Sequence, residues 1–234
     1  YILSNSCSNI VRNCIATDNY YGFYMFSSYG NVYTNNIANS NDNAGFRLYS
    51  NCFNNTLSNN TANYNNGTGF ILNTNCDTNI LSNNTADSNT TQNFYVLLSY
   101  NNTISSNTST RSSYGIKLQN SDSNYLYDNA SNNNDSYGFL TTICSGNIFV
   151  NNNADSNWYG FYLNIDCTGN ILNNNSANYN TYRGFLLQNY SNYNTFTGNT
   201  ANYNTDRGFI VNTGCKYNQF INNIFIKTSF LGSH

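Results

Sequence analysis

A Gly-Phe dipeptide, or a near equivalent, returns along this chain at an almost fixed interval, and no other feature constrains the fold as much. It falls at Gly22-Phe23, Gly45-Phe46, Gly69-Phe70, Asn93-Phe94, Gly115-Ile116, Gly138-Phe139, Gly160-Phe161, Gly184-Phe185 and Gly208-Phe209, in steps of 22 to 24 residues. Tyr1 takes the Phe position of an earlier copy and Gly232 the Gly position of a later one, so the 234 residues read as ten consecutive copies. A repeat of this length is one structural unit that buries its apolar face only by stacking on its neighbours.

Within each copy the first segment alternates as a strand does: Phe70 and Leu72 share one face and Ile71 takes the other. The Leu72 column is apolar (Met25, Leu48, Val96, Leu118, Leu163, Leu187, Val211), whereas the Ile71 column holds Tyr24, Arg47, Tyr95, Lys117 and Tyr162, as a solvated face should. A second segment carries an asparagine in every copy: Asn9, Asn31, Asn55, Asn79, Asn102, Asn124, Asn147, Asn170, Asn194 and Asn218. Two residues on comes an apolar column (Leu57, Leu81, Ile104, Leu126). A second Asn column follows (Asn36, Asn60, Asn84, Asn107 and their equivalents, broken by Cys14), and then a weaker third through Asn41, Asn65, Asn89 and Asn134. Short strands separated by Asn bends lack the helical periodicity of ankyrin or leucine-rich repeats and fit a parallel β-helix, one coil per copy. At about 4.8 Å per coil, ten coils make a rod on the order of 48 Å long. Asparagine suits the bends because it tolerates left-handed backbone angles and its amide both donates and accepts. Identical amides stacked from coil to coil form hydrogen-bonded ladders. The glycine column is expected where the chain turns sharply into the first strand.

Composition removes several function classes. Charged residues are 8% of the chain and the net charge is −2, which argues against a nucleic-acid surface and against disorder maintained by self-repulsion. The longest apolar run, Phe94 to Leu98, is too short for a membrane span.

The run Asn79-Ile80-Leu81-Ser82-Asn83-Asn84-Thr85-Ala86, together with Gly-Phe-x-Leu, resembles the right-handed parallel β-helix repeats of the pectate-lyase-like superfamily, and is most similar to its NosD-like branch of surface proteins. The resemblance implies an all-β, right-handed, single-stranded solenoid of about ten coils with about 23 residues each. It covers all ten copies, as one domain over residues 1–231. The scaffold hosts lyases, hydrolases, adhesins and structural proteins alike, so function has to be read from side chains.

Hydrolases of this scaffold resemble one another in clustering aspartates on adjacent coils, and two carboxylates at a defined separation are what glycosidic acid/base chemistry needs. Here the ten acidic residues, all aspartates, scatter among columns; Asp87 and Asp155 share one but lie three coils apart. No catalytic residue, metal site or cofactor is therefore expected. Counting six residues on from the Phe column places Cys7, Cys52, Cys76, Cys167 and Cys215 together, with Cys144 one short, on an inward column. Such a column is readable as small buried hydrophobes. It also permits inter-coil disulfides for Cys52 with Cys76 and Cys144 with Cys167, since coil spacing lies within disulfide reach. A soft-metal site is disfavoured by single-file thiols and one methionine.

Tyr114, Tyr137 and Tyr159 on successive coils, with Trp158 and Tyr162 beside them, form the candidate glycan-binding surface, and Arg183 and Arg207 continue that column. Asn-x-Ser/Thr sequons occur at Asn54, Asn59, Asn66, Asn83, Asn89, Asn101, Asn134 and Asn174, candidates for glycosylation. The reading that follows is a non-enzymatic extracellular or cell-surface rod: a stalk, surface-layer component or filament block. Its partners would be flanking domains or further copies stacked end to end through Phe220 and Phe225, with Gly232-Ser233-His234 opening a next coil or left from a tag. The alternative is a carbohydrate-binding or polysaccharide-modifying β-helix.

Overall fold

The structure is a computed structural model that describes residues 1–226; Gly232 and the segment 232–234 lie outside them. The described chain winds into a right-handed β-helix whose strands all pair in parallel, each with the equivalent strand one coil away. A long ten-stranded sheet is built from the six-residue segments such as Tyr21–Phe26, Thr68–Asn73 and Tyr159–Asn164. A second ten-stranded sheet uses three-residue segments such as Ile80–Ser82. The third side is a four-stranded sheet, Thr61–Asn63 through Ala130–Asn132, prolonged in both directions by isolated bridges such as Ile15 with Ile37 and Ser176 with Thr200.

The interior follows the columns. Phe46 stacks on Phe70 at 4.8 Å between ring centroids and Phe70 on Phe94 at 4.9 Å, nearly parallel in both cases, so one coil's phenyl ring is the floor for the next. A fully buried side chain of this size contributes about 1.5–3 kcal/mol, and the column repeats a contribution of this kind from Phe23 through Phe185, with Ile116 in place of one ring. From the second sheet, Leu57, Leu81, Ile104 and Leu126 point inward; Ala62, Ala86 and Ala154 do so from the third.

All three Asn columns form ladders with one repeated rung. The Asn55 backbone N–H and its Nδ2 both donate to Asn79 Oδ1, at 2.9 and 3.0 Å, and the second Nδ2 hydrogen goes to the Ser28 carbonyl at 3.0 Å. The rung recurs from Asn31 through Asn194 in the first ladder and from Asn36 through Asn199 in the second. These amides are buried and nearly all of them donate to the next rung, which is why the interior tolerates so many polar groups; in the third ladder Asn180 Nδ2 is the exception and is buried without a partner.

Two expectations are corrected in detail. The left-handed backbone angle and the ladder amide belong to adjacent residues, not one: Asn54, Asn59, Asn83 and Asn101 have φ of 53 to 55°, and the ladder residues Asn55, Asn60, Asn84 and Asn102 follow them. The Gly column, in turn, answers to close approach, not to a turn. A Cβ on Gly45 would lie 2.8 Å from Ala62 Cβ, and one on Gly184 would lie 2.6 Å from Ala201 Cβ.

Candidate functional site

The inward corner between the long and second sheets holds a mixed Ser/Cys ladder. The Cys76 N–H donates to Ser99 Oγ at 3.1 Å, the Ser99 N–H to Ser121 Oγ at 3.2 Å, and the Cys167 N–H to Ser191 Oγ at 3.3 Å. Cys52, Cys76, Cys144 and Cys167 are buried members of it, and none of the seven cysteines is in a disulfide. Burial pushes the Cys144 thiol up and the Cys167 thiol up to about 11, so both are protonated and unreactive near neutrality. Cys7 is not in the column, contrary to the six-residue count: it is exposed, and Ser6 takes the inward place, donating its N–H to Ser28 Oγ at 3.2 Å. The corner has two lengths. Coils with two left-handed residues, such as Thr74 and Asn75, reach the column after six residues, and coils with one, such as Asn5 or Leu98, reach it after five.

Several aspartates are structural acceptors. Asp77 and Asp122 each take a backbone N–H from the next coil (Tyr100 at 2.7 Å, Ser145 at 2.6 Å). Asp155 accepts the Asn178 N–H at 2.6 Å. Burial works against the Asp87 charge, but Arg111, Thr110 and Ser88 donate to it and hold its carboxyl below the usual range.

The sequons divide by position. Asn54, Asn59, Asn66, Asn83, Asn101 and Asn174 are exposed at corners, whereas Asn89 and Asn134 are buried rungs of the third ladder. The Asn89 amide already donates to the Ala62 carbonyl and to Asn93 Oδ1, so a glycan on either buried nitrogen is incompatible with the folded ladder.

Tyr114, Tyr137, Tyr159, Tyr162 and Trp158 do come together on the outer face of the long sheet. Tyr137 stacks on Tyr114 at 5.4 Å and on Tyr159 at 5.3 Å, each pair within 11° of parallel; Tyr162 stacks against both Tyr137 and Tyr159. The rings therefore face one another along the rod axis, and the row presents ring edges and hydroxyls outward instead of flat ring faces. Trp158 alone is widely exposed, at 47%. Burial, reinforced by neighbouring tyrosines, pushes Tyr162 up to about 12, which keeps its hydroxyl a donor.

Sequence reasoning carried this row on to Arg183 and Arg207 but missed Tyr182 and Asp206, which make a group with them at its end. Tyr182 meets Tyr159 edge-on at 5.2 Å and lies beside Trp158. The Arg183 guanidinium sits 4.3 Å from the Tyr182 ring centroid, donates to Tyr182 Oη at 2.8 Å, and donates through Nε to Asp206 at 2.7 Å. Arg207 Nε lies 3.9 Å from the same carboxylate. Asp206 precedes the repeating strand, so its column looks like loop; only the coil-to-coil step of about 4.8 Å brings it under Arg183. Arrangements of the same kind occur at Lys117, over the rings of Tyr95 and Tyr114, and at Arg47, among Tyr21, Tyr24 and Tyr49.

Residues 88–230 match the family described as periplasmic copper-binding protein (NosD), and residues 1–109 match the right handed beta helix region family. The chain belongs to the NosD family. No curated relative matches it in sequence. Among solved structures it is similar to the A-module of a mannuronan C-5 epimerase from Azotobacter vinelandii (TM-score 0.69, 17% identity, covering 93% of this chain and 65% of that one). It is also similar to a periplasmic alginate epimerase (TM-score 0.65, 16% identity, 93% and 50%) and to the catalytic domain of a GH87 alpha-1,3-glucanase in complex with nigerose (TM-score 0.57, 13% identity, 94% and 48%). The chain thus spans about half to two thirds of the length of these structures. The expectation of a rod without chemistry is corrected by them: these three structures, which share the fold, are two epimerases and a glucanase.

The copper of the family description does not fit these residues. Among the described residues no three His, Cys or Asp side chains converge. The buried thiols stand in single file along the axis, and the one methionine, Met25, is enclosed in the apolar core. Among those residues, too, no helix is long and apolar enough to cross a membrane.

Proposed function

We propose that the chain is a polysaccharide-binding and polysaccharide-modifying β-helix protein of the periplasm or cell exterior, which lays its ligand along the outer face of the long sheet. One observation carries this reading: the tyrosine row from Tyr114 to Tyr162 runs without a break into Trp158, Tyr182 and the Arg183–Asp206 pair. The row supplies hydroxyl donors spaced one coil apart, and exposed Trp158 supplies a flat apolar surface for a sugar ring. The kinship of fold with epimerases and a glucanase supports the reading, as does the periplasmic description of the family.

The chemistry available at the end of the row is proton transfer beside a fixed positive charge. Asp206 is a base at the surface of the face. Arg183, held by both Asp206 and Tyr182, stabilises negative charge that develops on a bound sugar. The test is a glycan array followed by NMR of each polysaccharide that binds, after incubation with the protein or with Asp206→Asn. Binding at the array together with product formation that Asp206→Asn abolishes supports the proposal. Failure to bind any polysaccharide refutes it.

A further inference from the structure

We infer that the ligand of the long sheet is an anionic polysaccharide, held by cations seated against tyrosine rings that recur every third coil. This rests on the proposed function and specifies its substrate class.

The first observation is a segregation of charge. The chain has eight Lys and Arg against ten acidic residues, yet the strands of the long sheet carry Arg47, Lys117, Arg183 and Arg207 and not one aspartate. An acidic protein has thus placed half of its cations on one side. Of these, Arg47 and Lys117 make no ion pair among the described residues. Arg183 and Arg207 share Asp206, which leaves that group one net positive charge.

The second observation is how the cations are held. Arg47 lies 4.9 Å from the ring centroids of both Tyr21 and Tyr49, and its buried Nε has no hydrogen-bond partner. Lys117 Nζ lies 4.8 Å from Tyr95 and 5.5 Å from Tyr114. Arg183 lies 4.3 Å from Tyr182. Aromatic faces attract a cation but do not neutralise it, and half-buried positions keep water from doing so fully. A neutral sugar leaves that deficit standing, whereas a carboxylate or sulfate removes it.

The third observation is spacing. Arg47 pairs in register with Ile71, Ile71 with Tyr95, and Tyr95 with Lys117, so the first two cations share one outward column three coils apart. From Lys117's strand to Arg183's is three coils more. At about 4.8 Å per coil these are separations of about 14 and about 29 Å along the axis. A polymer carrying negative charge along its length meets all three at once and gains by multivalency, as a short oligomer cannot.

The experiment is calorimetric titration of the protein with a polyuronate, a sulfated polysaccharide, a neutral polysaccharide of matched linkage, and oligouronates of increasing length. Each is run at low and at physiological salt. The acidic polymers should bind at least about tenfold more tightly than the neutral one and weaken with salt. Affinity for the oligouronates should rise in steps as they become long enough to reach a second and then a third cation. Lys117→Gln and Arg47→Gln should each weaken acidic binding about tenfold, while Arg12→Gln, on the second sheet, leaves it unchanged. If a variant melts early, the wild-type length series alone decides the question. Preference for the polyuronate alone, or equal binding of polyuronate and sulfated polymer, both support the inference and identify the acidic group. Equal, salt-insensitive binding of neutral and acidic polymers overturns the inference and leaves the proposed function standing; binding of none overturns both.

Discussion

The third Asn ladder contains a natural double substitution whose energetics follow from its hydrogen bonds. In a regular coil the Gly column touches the ladder amide of the next coil: a Cβ on Gly69 would lie 2.8 Å from Asn89 Nδ2. One coil on, Asn93 replaces the glycine, and Ser112 replaces the ladder asparagine it would strike. The Asn93 amide fills the missing rung. It accepts from Asn89 Nδ2 at 2.7 Å and donates to Ser109 Oγ at 3.0 Å and to the Thr110 carbonyl at 2.8 Å. Asn93→Gly should therefore strand one Asn89 hydrogen and the Ser109 hydroxyl in the interior, at about 1–3 kcal/mol for each unsatisfied group. Ser112→Asn alone should force a second amide into occupied space, costing about 1–3 kcal/mol through overpacking. The double variant restores the rung found in neighbouring coils and should return to within about 0.5 kcal/mol of wild type, the usual limit of additivity. Urea titrations of the four proteins, compared at constant m-value, measure the cycle. If the two single effects simply add in the double variant, the rung exchange is not what links these residues and the reasoning fails.

Other consequences can be checked with the same protein. Thiol labelling without denaturant should modify Cys7 and Cys14 quickly and leave Cys52, Cys76, Cys144 and Cys167 unmodified until urea is added, as their burial requires; rapid labelling of six or seven would contradict the inward ladder. Because the Cys167 thiol is raised in the fold, the stability it contributes is complete below about pH 8.5, where the unfolded thiol titrates, and is lost as pH rises through about 11. Melting temperature should fall across that window, and a flat profile would count against it. The hydroxyls of Tyr33 and Thr141 are buried without a partner, so Tyr33→Phe and Thr141→Val should each stabilise the protein, by up to about 1–3 kcal/mol; a drop in melting temperature would show an unseen partner. Gly184→Ala sets a methyl 2.6 Å from both Ala201 Cβ and the Gly208 carbonyl, and should cost at least about 1–3 kcal/mol despite the gain in backbone entropy, as a denaturation midpoint will show.

What the sequence made legible is what the coil repeats: Phe70, Leu72, Leu81 and Asn79 recur at fixed offsets because each packs on its own equivalent one step away. Where a corner varies in length the offset stops being a coordinate. That is why Cys7 counts into the inward column yet lies outside it, one left-handed residue at Asn5 having replaced the pair at Thr74 and Asn75. Contacts between unlike columns were illegible for a different reason. Tyr182, Arg183 and Asp206 are ordinary in their own copies and become a group only because the loop before one strand stacks on the strand start of the coil before it. The same physics explains the tyrosine row. A column of aromatic residues shows that rings will be neighbours, but parallel strands at a spacing of about 4.8 Å make face-to-face stacking along the axis the closest packing open to them. The faces are then spent within the protein. Recognition passes to the hydroxyl edges, to Trp158 at the margin, and to the cations lodged between the rings, which is why charge, not flatness, decides what this surface can hold.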